Sequence, residues 1–185
     1  MNFNSHSEIA DKHAFLSPSS YHWINYTEQK LDARYASRKS AARGTDLHNL
    51  AHQAIRLGVA LSSKNKTLSA YVRDAIAYDM VPEQPLYYSP NCFGHADTIS
   101  FRRRMLRIHD LKTGIGKASH HQLEVYAALF CLEYGMSPWD IGIELRIYQN
   151  EEIEVTIPDP DGILHIMDRI MTFDRRIELL KEGAL

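Results

Sequence analysis

Residues 92–114 read CFGHADTISFRRRMLRIHDLKTG. Two runs rich in apolar and β-branched residues, 92–101 and 105–112, flank the arginines 102–104, which mark the turn of a hairpin. In the first run Phe93, Asp97, Ile99 and Phe101 share one parity, so they lie on one face of a strand. Upstream, PLYYS at 85–89 precedes the turn residues Ser89-Pro90-Asn91 and adds a third strand. Downstream, Leu123, Tyr126, Ala127, Phe130 and Cys131 repeat at helical spacing over 118–134, and Gly135 and Pro138 stop the helix. Strict alternation returns in 141–148 (Ile141, Ile143, Leu145, Ile147) and again in 151–157 (Ile153, Val155, Ile157).

The flanks are helical. Asp161-Gly162 opens a last amphipathic helix over 162–182 carrying Ile163, Ile166, Ile170, Phe173 and Ile177. Ser17-Pro18 starts a helix bearing Tyr21, Trp23, Ile24 and Leu31, with Ser17 as cap and Pro18 where no N–H is needed. A second helix begins at Thr45 or Asp46, presents Leu47, Leu50, Ala51, Ala54 and Ile55, and ends at Gly58; a third occupies 68–79. Residues 1–16 read as a flexible polar leader, and 17–185 as a single domain. The expectation is an α/β (α+β) fold with a central mixed sheet of about five strands flanked by helices.

Composition narrows the function. With 185 residues, 24% charged and net charge −2, the chain is globular and is not a polycation. The charge is uneven. Residues 29–43 hold Lys30, Arg34, Arg38, Lys39 and Arg43 against Asp32, a net +4. Residues 101–117 set six bases against Asp110, a net +5, and 150–185 set four bases against nine acids, a net −5. No apolar run reaches the length of a membrane span, and the start lacks a signal-peptide core, so a cytoplasmic protein with no membrane partner is expected. Two cysteines, Cys92 and Cys131, cannot build a Cys-ligated cluster. KTGIGKA at 112–118 imitates a phosphate loop, but Leu111 and Ala118 stand where Gly and Ser or Thr are needed, so no nucleotide site and no motor is expected. His95, His109, His120 and His121 read as scattered surface residues rather than a zinc site.

Four features carry chemistry. Asp97 is a carboxylate on an apolar strand face, where it must be paired, protonated, hydrogen-bonded to backbone or metal-bound. Asp110 and Lys112 lie two apart at the end of a strand, on one face, before the glycine turn Thr113–Gly116. A carboxylate that can hold a divalent metal beside a lysine that can position water suits phosphodiester hydrolysis. His48 follows Gly44-Thr45-Asp46-Leu47, and His52 lies one turn further on the same face; Asn49 means that HExxH is not met. Gln122 and Tyr126 form a QxxxY pair on one helix face.

GTDLH, GHAD, DLKTG and QLEVY, in this order on helix, strand, strand and helix, resemble the PD-(D/E)xK nuclease superfamily, in particular its RecB-like branch with the CRISPR-adaptation nucleases and phage relatives. SPSSYHWIN at 17–25 also looks like the opening of such proteins. The resemblance spans about 17–148 and implies a restriction-endonuclease-like core. It implies that His48, Asp97, Asp110 and the Leu111 carbonyl hold Mg²⁺ or Mn²⁺, with Asp97, Asp110 and Lys112 catalytic. It also implies that Gln122 and Tyr126 support the site and contact a DNA strand. Glu83 falls where relatives often carry an acid. Iron–sulfur members carry four cysteines; here Tyr26 lies near the expected position of one, so no cluster is expected and the last helix must close the domain by apolar packing.

The basic segments add Arg34, Arg38 and Arg43 as DNA contacts, with the Arg102–Arg104 turn at the far end of its hairpin from Asp110. The function expected is a metal-dependent DNase, an exonuclease on DNA ends or single strands in recombination, repair or phage DNA processing. A helicase, recombinase or repair protein would be its partner, and the oligomeric state stays open. The alternatives are a catalytically silent DNA-binding or complex-forming module on the same fold, and an unrelated α/β protein with a structural Asp97–Asp110–Lys112 network.

Overall fold

A computed structural model describes residues 1–9, 12, 14–37, 46–62, 65–113 and 118–183. A 3₁₀ helix over Pro18–Asn25 precedes α1 (Glu28–Ser37), α2 (Asp46–Leu57) and α3 (Lys66–Ala77). Strands β1 (Val81–Ser89), β2 (Cys92–Arg102) and β3 (Met105–Leu111) follow, then α4 (His121–Tyr134), β4 (Gly142–Gln149), β5 (Glu152–Thr156) and α5 (Pro160–Lys181). The sheet order is β1-β2-β3-β4-β5. All neighbours are antiparallel except β3 and β4, which run parallel because α4 crosses between them. The protein is thus α/β, with a five-stranded mixed sheet flanked by helices.

Strand alternation sorts the core into two layers. Leu106, Ile108, Ile143, Leu145 and Ile147 pack with α4, α5 and Trp23. Leu111 and Tyr148, of the other parity, pack with Ala51, Ile55, Leu68 and Val72 of α2 and α3. Helix α4 is the central post: Leu123 and the whole stretch Val125–Cys131 are buried, and Gly135 ends it at φ 60°. Helix α5 closes the first layer through Ile163, Ile166, Ile170, Phe173 and Ile177.

Several boundaries differ from those expected. The first helix is two pieces, since Tyr26 is extended after the 3₁₀ turn and α1 starts at Glu28. Helix α5 starts earlier, because Asp159 caps it and Pro160 fits its first turn. Strand β1 begins at Val81, ahead of Pro82 and Pro85; it is an edge strand, where a missing N–H is tolerated. Ile153 and Val155 alternate in β5 as expected but stay exposed, and Ile157 lies just past its end. The cap Thr45 lies outside the described residues.

Nor is the leader loose where it is described. Ile9, Ala14 and Leu16 are buried and Phe3 packs on the core. Asn4 donates to Glu133 Oε1 at 3.0 Å, His6 also meets Glu133, and Glu133 Oε2 accepts from Tyr87 N at 2.7 Å. Apolar residues set among polar ones, with Glu133 as anchor, hold the segment to the body. Among the described residues no helix is long and apolar enough to cross a membrane.

Candidate metal and catalytic site

The β2–β3 ladder runs from Arg102↔Met105 to Thr98↔His109 and then stops. Beyond it Asp97 and Asp110 stand side by side, and Asp97 Oδ2 accepts the N–H of Leu111 at 3.1 Å. A carboxylate thus takes the place of a ladder partner at the mouth of the hairpin. Lys112 keeps the chain aligned on the other side, donating its N–H to the Tyr148 carbonyl at 2.9 Å.

Both helical layers reach this end of the sheet. From α2, His48 Nδ1 lies 3.5 Å from Asp97 Oδ2. From α4, Gln122 Oε1 accepts from Lys112 Nζ at 2.8 Å. Lys112 Nζ also lies 3.1 and 2.9 Å from the two Asp110 oxygens. Asp110 is only 6% exposed against 30% for Lys112, so the lysine tip is the open side of the pair.

Electrostatics set the needs of the site. Burial first, then the nearby Asp110, pushes the Asp97 carboxyl up to about 8. Burial lowers His48 and His52 despite neighbouring acids, which favours the neutral imidazole a metal requires. Ligand atoms of His48, His52 and Asp97 all lie within 4.8 Å of one another. Two imidazoles and a carboxylate that resists ionising form a donor set that fits a divalent cation, with nitrogen ligands favouring Mn²⁺ over Mg²⁺. Asp110, held by Lys112, is the adjoining acidic group.

His52 is not among the ligands that the sequence motifs imply, because HExxH is not met; its i,i+4 spacing from His48 is the signal that points to it. It is 5% exposed, and its Nδ1 lies 2.8 Å from Glu83 Oε1. Glu83 occupies a strand at φ 51°, between the pairs Pro82↔Thr98 and Gln84↔Ala96, and so opposite Asp97. Arg56 NH2 lies 3.1 Å from its other oxygen. Glu83 therefore supports His52 at the rim.

Tyr126 is 5% exposed and its hydroxyl donates to the His95 carbonyl. It braces the backbone of β2 one residue from Ala96-Asp97 and does not lie on the open surface. Gly94 makes this contact possible, since a Cβ there would meet Pro18 Cδ at 2.6 Å and Tyr126 Cε1 at 3.1 Å. Arg34 is exposed on α1; Arg38, Arg43 and the Gly114–Gly116 turn lie outside the described residues. Among the described residues the other histidines form no such group, and one is not at the surface: His109 is fully buried with Nδ1 3.3 Å from Tyr148 Oη, while His121 pairs with Glu124.

Compared with known proteins, the chain matches no family model and no curated sequence.

Proposed function

We propose that the protein is a metal-dependent DNA nuclease of the PD-(D/E)xK type, RecB-like, hydrolysing phosphodiester bonds as an exonuclease on DNA ends or single strands. The observation that carries the reading is the meeting of Asp97, Asp110, Lys112, His48 and Gln122, from two strands and two helices, at one end of the sheet.

In this reading His48, Asp97 and Asp110 hold Mg²⁺ or Mn²⁺, with the Leu111 carbonyl and with His52 at the rim. The bound cation supplies Lewis-acid polarisation of the phosphate and a bound water of lowered pKa. Lys112 orients the attacking water and stabilises charge that develops on the phosphoryl oxygens. Gln122 fixes the lysine tip, and Tyr126 and the Asp97–Leu111 bond hold the strands at the required spacing. Arg34, with the basic segment that follows it, attracts the DNA backbone. The reading places the protein in the cytoplasm, beside a helicase, recombinase or repair partner.

Labelled single-stranded and duplex DNA, incubated with the pure protein and Mn²⁺, Mg²⁺ or EDTA, tests this. Cleavage with metal, lost in EDTA and in Lys112→Ala, is the expected result. Cleavage unchanged by Lys112→Ala overturns it. DNA binding without cleavage in any metal assigns the chain instead to the silent DNA-binding module.

A further inference from the structure

The turn between β2 and β3 is a two-residue hairpin loop, Arg103-Arg104, closed by the pair Arg102↔Met105. Both loop residues have positive φ, 50° and 61°. Such turns select Asn and Gly, because a Cβ strains this backbone. The β4–β5 turn follows that preference at its first position only, with Asn150 at φ 51° and Glu151 at φ 65°, whereas the β2–β3 turn departs from it at both. Two consecutive arginines in a conformation that disfavours them point to a use for their guanidinium groups.

All three arginines of the turn are exposed. Arg102 is paired with Asp79, and Arg104 Nε donates to the Asp140 carbonyl at 2.9 Å, which leaves its charge uncancelled. Arg103 makes no ion pair or hydrogen bond among the described residues. The residue before Asp140 is Trp139, which is 61% exposed. An indole at such exposure lacks the burial that normally holds it.

We infer that Arg103, Arg104 and Trp139 form a second contact for single-stranded nucleic acid, the arginines taking phosphate and the indole stacking on a base. This pairing of basic groups with an aromatic platform is how sequence-tolerant single-strand binding works. The choice of nucleic acid as ligand rests on the nuclease reading above. The nearer loop residue, Arg104, lies six residues before Asp110, about 20 Å at ~3.3 Å per residue. That is about six steps of a stacked strand at ~3.4 Å each. A contact there holds a strand well away from the bond being cut.

The chain has two tryptophans, and the other, Trp23, is 2% exposed. Emission open to an external quencher therefore reports Trp139. The full chain in EDTA is titrated with a twelve-nucleotide oligothymidylate, and binding is followed in parallel by anisotropy of a labelled copy. The expected result is saturable quenching that Trp139→Phe abolishes. Arg103→Asn with Arg104→Asn should keep the melting temperature, since Asn suits these φ values, while the slope of log K against log salt falls by about 1.4. Oligomer binding with unchanged Trp139 emission, an unchanged salt slope in the double variant, or no binding at all overturns the inference. Equal quenching by a blunt duplex overturns the base-stacking contact. Metal-dependent cleavage without quenching removes this inference alone, and quenching without cleavage removes the nuclease reading alone.

Discussion

Lys112 on the sheet is tethered to Gln122 on α4, Nζ to Oε1 at 2.8 Å, while it also pairs with Asp110. The helix thereby aims the lysine tip. Gln122→Ala should lower metal-dependent cleavage about ten- to hundredfold through misplacement, against about 10²–10⁴-fold for Lys112→Ala. Gln122→Glu retains an acceptor and should recover part of the rate. Timed cleavage of labelled DNA checks the order; equal rates for Gln122→Ala and the parent would sink the positioning role.

Asp97 faces Asp110 in a half-buried setting, so its charge opposes folding unless a cation is present. Asp97→Asn keeps an acceptor for Leu111 N–H and removes that charge. Its melting temperature without divalent metal should equal or exceed that of the parent. Mn²⁺ at a hundredfold excess over its Kd should raise the parent by about 5–10 °C and the variant by much less. Thermal scans with Mn²⁺ and with EDTA decide this; identical shifts in both proteins would exclude Asp97 as a ligand.

Gly94 lies under Pro18 and Tyr126, with 2.6 Å between its would-be Cβ and Pro18 Cδ. Gly94→Ala should cost about 1–3 kcal/mol by overpacking, a fall of about 3–10 °C in melting temperature. Gly162, in the first turn of α5, has nothing within 4 Å of a Cβ, and Gly162→Ala should be neutral or mildly stabilising. Parallel melting curves compare them.

His109 is buried between β3 neighbours and Tyr148, and burial, helped by Arg146 and Arg107, lowers its pKa from 6.5 to about 3. The unfolded chain takes up this proton first as pH falls. Stability is therefore whole above about pH 6.5 and declines as pH drops towards 3. His109→Gln should start lower at pH 8 but lose less between pH 6.5 and 4. Chemical denaturation across that range gives the slopes, and parallel slopes would assign the acid sensitivity elsewhere.

Much of the site is legible in the residues. Two-residue alternation locates Asp97 on its strand and sets Asp110 with Lys112, and helical spacing puts Gln122 over Tyr126 and His48 beside His52. What periodicity does not contain is which group each side chain meets. Tyr126 turns inward because Gly94 leaves room for its ring, a matter of packing between distant segments. Glu83 joins His52 because its backbone takes a positive φ inside a strand, against its residue preference. The leader is polar on average, yet a few spaced apolar residues and one glutamate anchor it. Exposed Ile153 and Val155 alternate as buried residues do, since alternation reports a pleat and not a cover.

The closure of the β2–β3 ladder by a side chain ties the Asp97–Leu111 contact to strand register. A slip of one residue between these strands turns Asp97 to the opposite face and separates it from Leu111 N–H. An insertion between Asp97 and Arg102 would have the same result even if the sheet still formed. Under the nuclease reading, activity then depends on the register of this hairpin as well as on folding.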